Sequence, residues 1–180
     1  MLQLTKGESL NLNKETNKVL KKIRIGAGWD VATEGAEIDC DLWLIPKGGD
    51  PVYFNNKTIA GVELDGDDTT GAGSEDGADE NINIDVDSLE KDEYTIMINI
   101  FDAVKKGQFF KDVKRCFIEI EDTETSKTIF NYNISQNAGD NSCLIAGKLI
   151  KKDGGLEFTA VEEFSTKDAT TAVKENGGIA

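Results

Sequence analysis

A chain of 180 residues, 38% hydrophobic and 30% charged, can bury one core without disulfide or metal staples. Its net charge of −14 and its lack of histidine exclude Ser-His and Cys-His catalytic pairs, imidazole zinc sites and a sequence-independent grip on nucleic-acid phosphates. Cys40, Cys116 and Cys143 are odd in number and form no C-x-x-C pair, so they read as reduced core thiols rather than a disulfide or zinc scaffold.

From the N-terminus, no apolar run has the length of a signal peptide or of a membrane helix of ~20 residues. The expectation is a cytoplasmic protein without membrane insertion. Ser9-Leu10-Asn11-Leu12 reads as a short strand. Lys22-Ile23-Arg24-Ile25 alternates and is expected to stop at Gly26-Ala27-Gly28. The stretch from Ile38 to Leu44 alternates for a full strand, with Ile38, Cys40, Leu42 and Leu44 on one face and Asp39 and Asp41 on the other. Val52-Tyr53-Phe54 is a short apolar run. Further alternation follows at Ile96, Ile98 and Ile100, at Cys116, Ile118 and Ile120, at Phe130, Tyr132 and Ile134, and at Leu156, Phe158 and Ala160. Trp29 and Trp43 read as core residues. Helical patterns are weak and confined to residues 109–115 and 167–175. The reading is an all-β protein: a β-sandwich of two antiparallel sheets with a long acidic metal-binding loop and little helix. Residues 1–164 form the domain, and 165–180 a polar C-terminal tail, part of it mobile.

The long insertion at about residues 61–82 breaks this pattern. Between Lys57 and Lys91 the chain has eleven carboxylates and no Lys or Arg, so the segment repels itself unless cations gather there. Its Gly-rich core runs from Asp65 through Asp67, Asp68, Thr70, Glu75 and Asp76 to Asp79 and Glu80. Closely spaced carboxylates on a flexible backbone suit calcium, a hard cation that takes six to eight oxygens in a forgiving geometry. Asp39 and Asp41 share a strand face and could converge on the loop, as could Asp30 after Trp29. An EF-hand does not fit, because a loop begun at Asp65 places Thr70 where glycine is required. A solvated acidic loop and a paired-carboxylate hydrolase are the competing readings. The basic patch at Lys105, Lys106, Lys111, Lys114 and Arg115 is a solvated face, or a surface for an acidic partner or for the acidic loop itself.

These motifs, in their order, resemble the TerD-domain family of tellurium-resistance and stress-response proteins. The resemblance runs from Leu4-Thr5-Lys6-Gly7 to about Phe158. It rests on Gly26-Ala27-Gly28-Trp29-Asp30, Ile38-Asp39-Cys40-Asp41-Leu42, Val52-Tyr53-Phe54-Asn55-Asn56, Gly66-Asp67-Asp68-Thr69-Thr70-Gly71, Asp79-Glu80 and Gln108-Phe109-Phe110. Asp68 stands where the family has Asn, Ala78 where it often has Asp, and Leu156 where it usually has Trp. The resemblance implies a β-sandwich that binds calcium between the loop and the strand aspartates. The ligands it implies are Asp30, Asp39, Asp41, Asp67, Asp68 and Asp79 or Glu80, with Thr70 beside them and Glu75 or Asp76 in place of the missing Asp. Because the carboxylates fall into two sets, two calcium ions are expected. The implied role is non-enzymatic: a calcium-ordered surface for a protein partner, or an assembly component of a phage or stress complex in which calcium only stabilises the fold.

Overall fold

The computed structural model describes residues 4–71, 77–134 and 138–179. Alternating segments within them become eleven strands: β1 (Ser9–Asn11), β2 (Lys22–Val31), β3 (Cys40–Pro46), β4 (Thr58–Ile59), β5 (Val62–Asp65), β6 (Glu80–Asp85), β7 (Glu93–Ile100), β8 (Val113–Asp122), β9 (Lys127–Asn133), β10 (Cys143–Lys152) and β11 (Gly155–Ser165). They form a five-stranded sheet in the order β1-β11-β10-β7-β3 and a six-stranded sheet in the order β4-β5-β6-β2-β8-β9. Every strand pairing is antiparallel. Side chains of period two from both inner faces fill one core, in which Ile25, Trp29, Leu42, Ile96, Ile118, Phe130 and Phe158 are buried. All three cysteines are free and buried, and burial pushes the Cys116 thiol up to about 12, far from a thiolate.

Three local readings change. β2 does not stop at its glycines but runs on to Val31. Gly26 and Gly28 are there for close approach: a Cβ at Gly26 would lie 2.6 Å from Ala78 Cβ, and one at Gly28 2.3 Å from the Phe117 ring. The long insertion also shrinks at both ends. Val62 and Leu64 are buried in β5, and Glu80, Ile82 and Ile84 in β6, because short alternation suffices once neighbouring strands supply the ladder. Residues 109–115 give only a single 3-10 turn, Phe110–Asp112, before β8 begins.

Among the described residues, α-helix is confined to α1 (Leu12–Thr16), α2 (Ala103–Lys106) and α3 (Ala169–Glu175). Asp168 caps α3 by accepting from Thr171 N at 2.9 Å. Part of the segment expected as a polar tail is therefore docked. Ala172 and Val173 of α3 are buried against Trp43, Ile45, Met97 and Ile145 on the outer face of the five-stranded sheet. Two small apolar residues suffice because that sheet face is itself apolar. Both tryptophans are buried, as expected: Trp29 donates Nε1–H to Ile38 O at 2.9 Å, and Trp43 stacks on Tyr53 with ring centroids 3.9 Å apart.

Candidate metal centre

β3 is an edge strand, so alternate N–H groups along it point away from β7. Leu44 exchanges two hydrogen bonds with Val52. The next free donor, Leu42 N, is taken by a side chain of the other sheet: Glu80 Oε2 accepts it at 2.7 Å. Glu80 faces inward from the start of β6, in register with Ala27, and is 1% exposed. One carboxylate thus joins the two sheets at the open edge of the sandwich.

Asp41 lies next to Leu42 and is 3% exposed. Asp67 comes from the loop that follows β5. Asp41, Asp67 and Glu80 each bring an oxygen to within 4.8 Å of the others. With all three ionised, each pair at 4.8 Å repels by about 3.5 kcal/mol at an effective dielectric of ~20. Burial, reinforced by its acidic neighbours, pushes Asp41 up to about 7. Burial likewise pushes Glu80 up to about 8 against the opposing Leu42 N–H, with Asp41 and Asp67 adding to the rise. Asp39 is also raised, by burial first and by Asp67 and Asp68 after it, while Lys106 pulls the other way. Lys106 Nζ stands 3.8 Å from Asp39 Oδ2, so the basic patch supplies one loosely held cation to the acidic side chains.

The donor set fits a hard divalent cation on a further ground. Asp39 Oδ1, Asp41 Oδ2 and Glu80 Oε1 are buried oxygens without a hydrogen-bond partner. Buried polar atoms are normally satisfied, and leaving one unpaired costs about 1–3 kcal/mol. A cation held between Asp41 and Glu80 would give the orphaned oxygens of those two a partner.

The loop is shaped to deliver Asp67. Asp68 Oδ1 accepts from Thr70 N, Thr70 Oγ1 and Gly71 N at 2.8, 2.9 and 3.0 Å, folding the loop on itself. Gly71 has φ +67, and a Cβ there would lie 2.3 Å from Trp29 Nε1, so the turn seats against the core indole. Asp79 Oδ2 accepts from Trp29 N at 2.7 Å and Asp79 N donates to Ala27 O at 2.8 Å, pinning the far end of the loop to β2.

Of the residues marked in the sequence, the fold gathers Asp39, Asp41, Asp67, Asp68 and Glu80. Thr70 bonds within the loop, and Asp79 is engaged by β2. Asp30 lies at the end of β2 beside Arg115, with 3.2 Å between its Oδ2 and the guanidinium Nε, and is not among the three carboxylates that meet. Glu75 and Asp76 lie outside the described residues. Sequence reasoning missed Asn99, which faces Asp41 across the β3–β7 ladder. Its only signal is a polar residue among the isoleucines of β7.

The TerD domain profile matches residues 1–173. General stress protein 16U of Bacillus subtilis is 29% identical over 174 residues, covering 89% of each chain. The tellurium resistance protein TerD of Serratia marcescens is 29% identical over 173 residues, covering 89% of this chain and 88% of that one. Among solved structures, a TerD homologue from Streptomyces coelicolor superposes with a TM-score of 0.69 at 13% identity, over 89% of this chain and 99% of that one. A solved protein of unknown function gives a TM-score of 0.68 at 18% identity, over 91% of this chain and all of that one; both show a common fold. With the profile spanning both sheets and the carboxylates that meet at their edge, the chain belongs to the TerD-domain family of tellurium-resistance and stress-response proteins.

Proposed function

We propose that the chain is a calcium-binding, non-enzymatic module of a tellurite-resistance or stress-response system, in which calcium orders the acidic loop for a protein partner. The observation that carries this reading is the meeting of Asp41, Asp67 and Glu80, two of them buried and each of those two with an unpaired oxygen. Asp39 and Asp68 extend the oxygen set. Calcium tolerates such an irregular mixture better than magnesium, which demands near-octahedral geometry. The ion would tie together the edge of one sheet, the first strand residue of the other and the loop between them. At a hundredfold excess over its Kd it would stabilise the fold by about 2.7 kcal/mol.

The position of the cluster between the two sheets also favours a second reading, in which calcium serves stability alone within an assembled complex. Partner capture that depends on calcium separates the two. We read the module as cytoplasmic; no helix among the described residues is long and apolar enough to cross a membrane. A hydrolase would show turnover with magnesium or manganese that Asp67→Ala abolishes.

The decisive measurement is a calorimetric titration of chelator-stripped protein with calcium, repeated with magnesium and with Asp67→Ala. Saturable calcium binding that magnesium does not imitate, lost or weakened at least tenfold in the variant, is the expected result, and the stoichiometry counts the ions against the expected two. Absence of binding heat together with an unmoved melting temperature would leave a proton-bearing acidic cluster and no metal site.

A further inference from the structure

Asn99 sits near the end of β7, in a run whose neighbours Ile96, Met97, Ile98 and Ile100 are all buried. It is itself 9% exposed. It lies directly across the ladder from Asp41, so the two side chains share one face of the sheet. Asn99 Oδ1 is left buried and without a partner, like the free oxygens of Asp39, Asp41 and Glu80. Directly opposed residues of an antiparallel pair have Cβ atoms about 4.5–5.5 Å apart, so the orphaned carbonyl lies on the same face as the Asp41 carboxylate. An orphaned carbonyl is a cost that a bare structural role does not recover.

We propose that Asn99 is an uncharged member of the metal centre, its Oδ1 supplying a neutral oxygen to the bound cation beside Asp41. The inference rests on the calcium reading above and adds to it a residue that no acidic pattern marks. Calcium takes Asn carbonyl oxygens as well as carboxylates among its ligands. Among carboxylates that already repel, a neutral donor raises the coordination number without raising the repulsion. A residue that orients a metal-binding carboxylate, or binds the metal itself, typically changes affinity by about 10–100-fold on removal.

The test compares wild type, Asn99→Leu and Asn99→Asp as full-length chelator-stripped proteins, each titrated with calcium in the calorimeter and each melted without metal. Asn99→Leu keeps the size and removes both polar ends. It is expected to weaken calcium about tenfold or more while leaving the metal-free melting temperature unchanged or higher, since the orphaned carbonyl is gone. Asn99→Asp keeps oxygen at the site and adds a buried charge. It is expected to lower the metal-free melting temperature and to retain calcium affinity within about threefold of wild type, or to tighten it. A merely structural Asn99 gives the opposite pattern: Asn99→Leu melts lower without metal and binds calcium like wild type, which overturns the inference. If Asn99→Leu does not fold, a folded Asn99→Asp that no longer binds calcium overturns it equally. No calcium heat from wild type sinks the calcium reading itself; normal heat from wild type and an unaffected Asn99→Leu sink this inference alone.

Discussion

Two buried aspartates in this protein behave in opposite ways. Asp41 and Asp122 are each 3% exposed. Burial acts first on both and favours the neutral form. At Asp122, at the end of β8, it is outweighed: Lys18 Nζ stands 2.8 Å away, and Thr125 Oγ1 and Glu124 N donate to its oxygens, so the carboxyl is held below its ordinary value. Asp122 also lies closer to water, since its partner Lys18 stays one-third exposed. At Asp41 the neighbours are Asp39, Asp67 and Glu80, and the carboxyl rises to about 7. The sequence supplied a cation for one of these sites and withheld it from the other. A buried carboxylate complete with its own lysine is structural. A buried carboxylate set with only a distant Lys106 has its charge left uncompensated by the chain itself, which is what the calcium proposal draws on.

Several measurements would break or sharpen that contrast. The largest effect is expected from pH. Asp41 and Glu80 have values raised from 3.8 and 4.5 to about 7 and about 8, so the metal-free fold holds protons that the unfolded chain has released. Their contribution to stability is full below pH 4 and disappears as pH rises through 7 to 8. Asp122 has the opposite sign: its contribution is present above 3.8 and disappears as pH falls through its lowered value. Melting with chelator should therefore show stability declining from mild acid to pH 8, and calcium should flatten that decline, because protons and calcium compete for the same oxygens. A metal-free melting temperature that rises steadily to pH 8 would contradict the burial of unpaired carboxylates.

Next in size is a pair of substitutions. Asp122→Ala removes the nearer of the two carboxylate partners of Lys18, leaving Glu124, and should cost about 1–3 kcal/mol in denaturant unfolding while leaving calcium affinity unchanged. Glu80→Gln keeps an acceptor for Leu42 N and removes a buried charge. It should weaken calcium at least tenfold while raising the metal-free melting temperature at pH 8. Equal effects of the two variants on calcium would erase the distinction drawn here.

Gly71→Ala tests how the loop is seated. A left-handed φ and a Cβ 2.3 Å from the Trp29 indole predict a loss of about 1–3 kcal/mol, and weaker calcium binding because Asp67 is displaced with the turn. The smallest effect is expected from Asp30→Ala. Its partner Arg115 is partly exposed, so the pair is worth less than about 1 kcal/mol. Calorimetry should find calcium affinity unaltered, whereas a large loss would return Asp30 to the site that its motif suggests.

How much of this could be read in advance differs between fold and site. The two-sheet sandwich was legible because alternation of apolar and polar residues is a local property, written directly in stretches such as Ile38 to Leu44. The short strands β4 and β5 were not, since two to four residues carry too little pattern and form only against a neighbour. The glycines of β2 were misread for a related reason. A glycine that ends a strand and one that lets Ala78 or Phe117 approach look alike until the approaching side chain is known.

Sequence alone determined the chemistry: a chain without histidine whose charge is concentrated in one glycine-rich loop can gather oxygen ligands and little else. It also marked Asp39, Asp41, Asp67, Asp68 and Glu80 by type and spacing. Only the tertiary structure decided which carboxylates meet, because Asp41, Asp67 and Glu80 belong to a strand of one sheet, a loop and a strand of the other. It sent Asp30 to Arg115, turned Asp79 to the Trp29 N–H, and put Asn99 across from Asp41. Those assignments depend on strand register and on which edge of the sandwich is left open, and neither is encoded within any single stretch of chain.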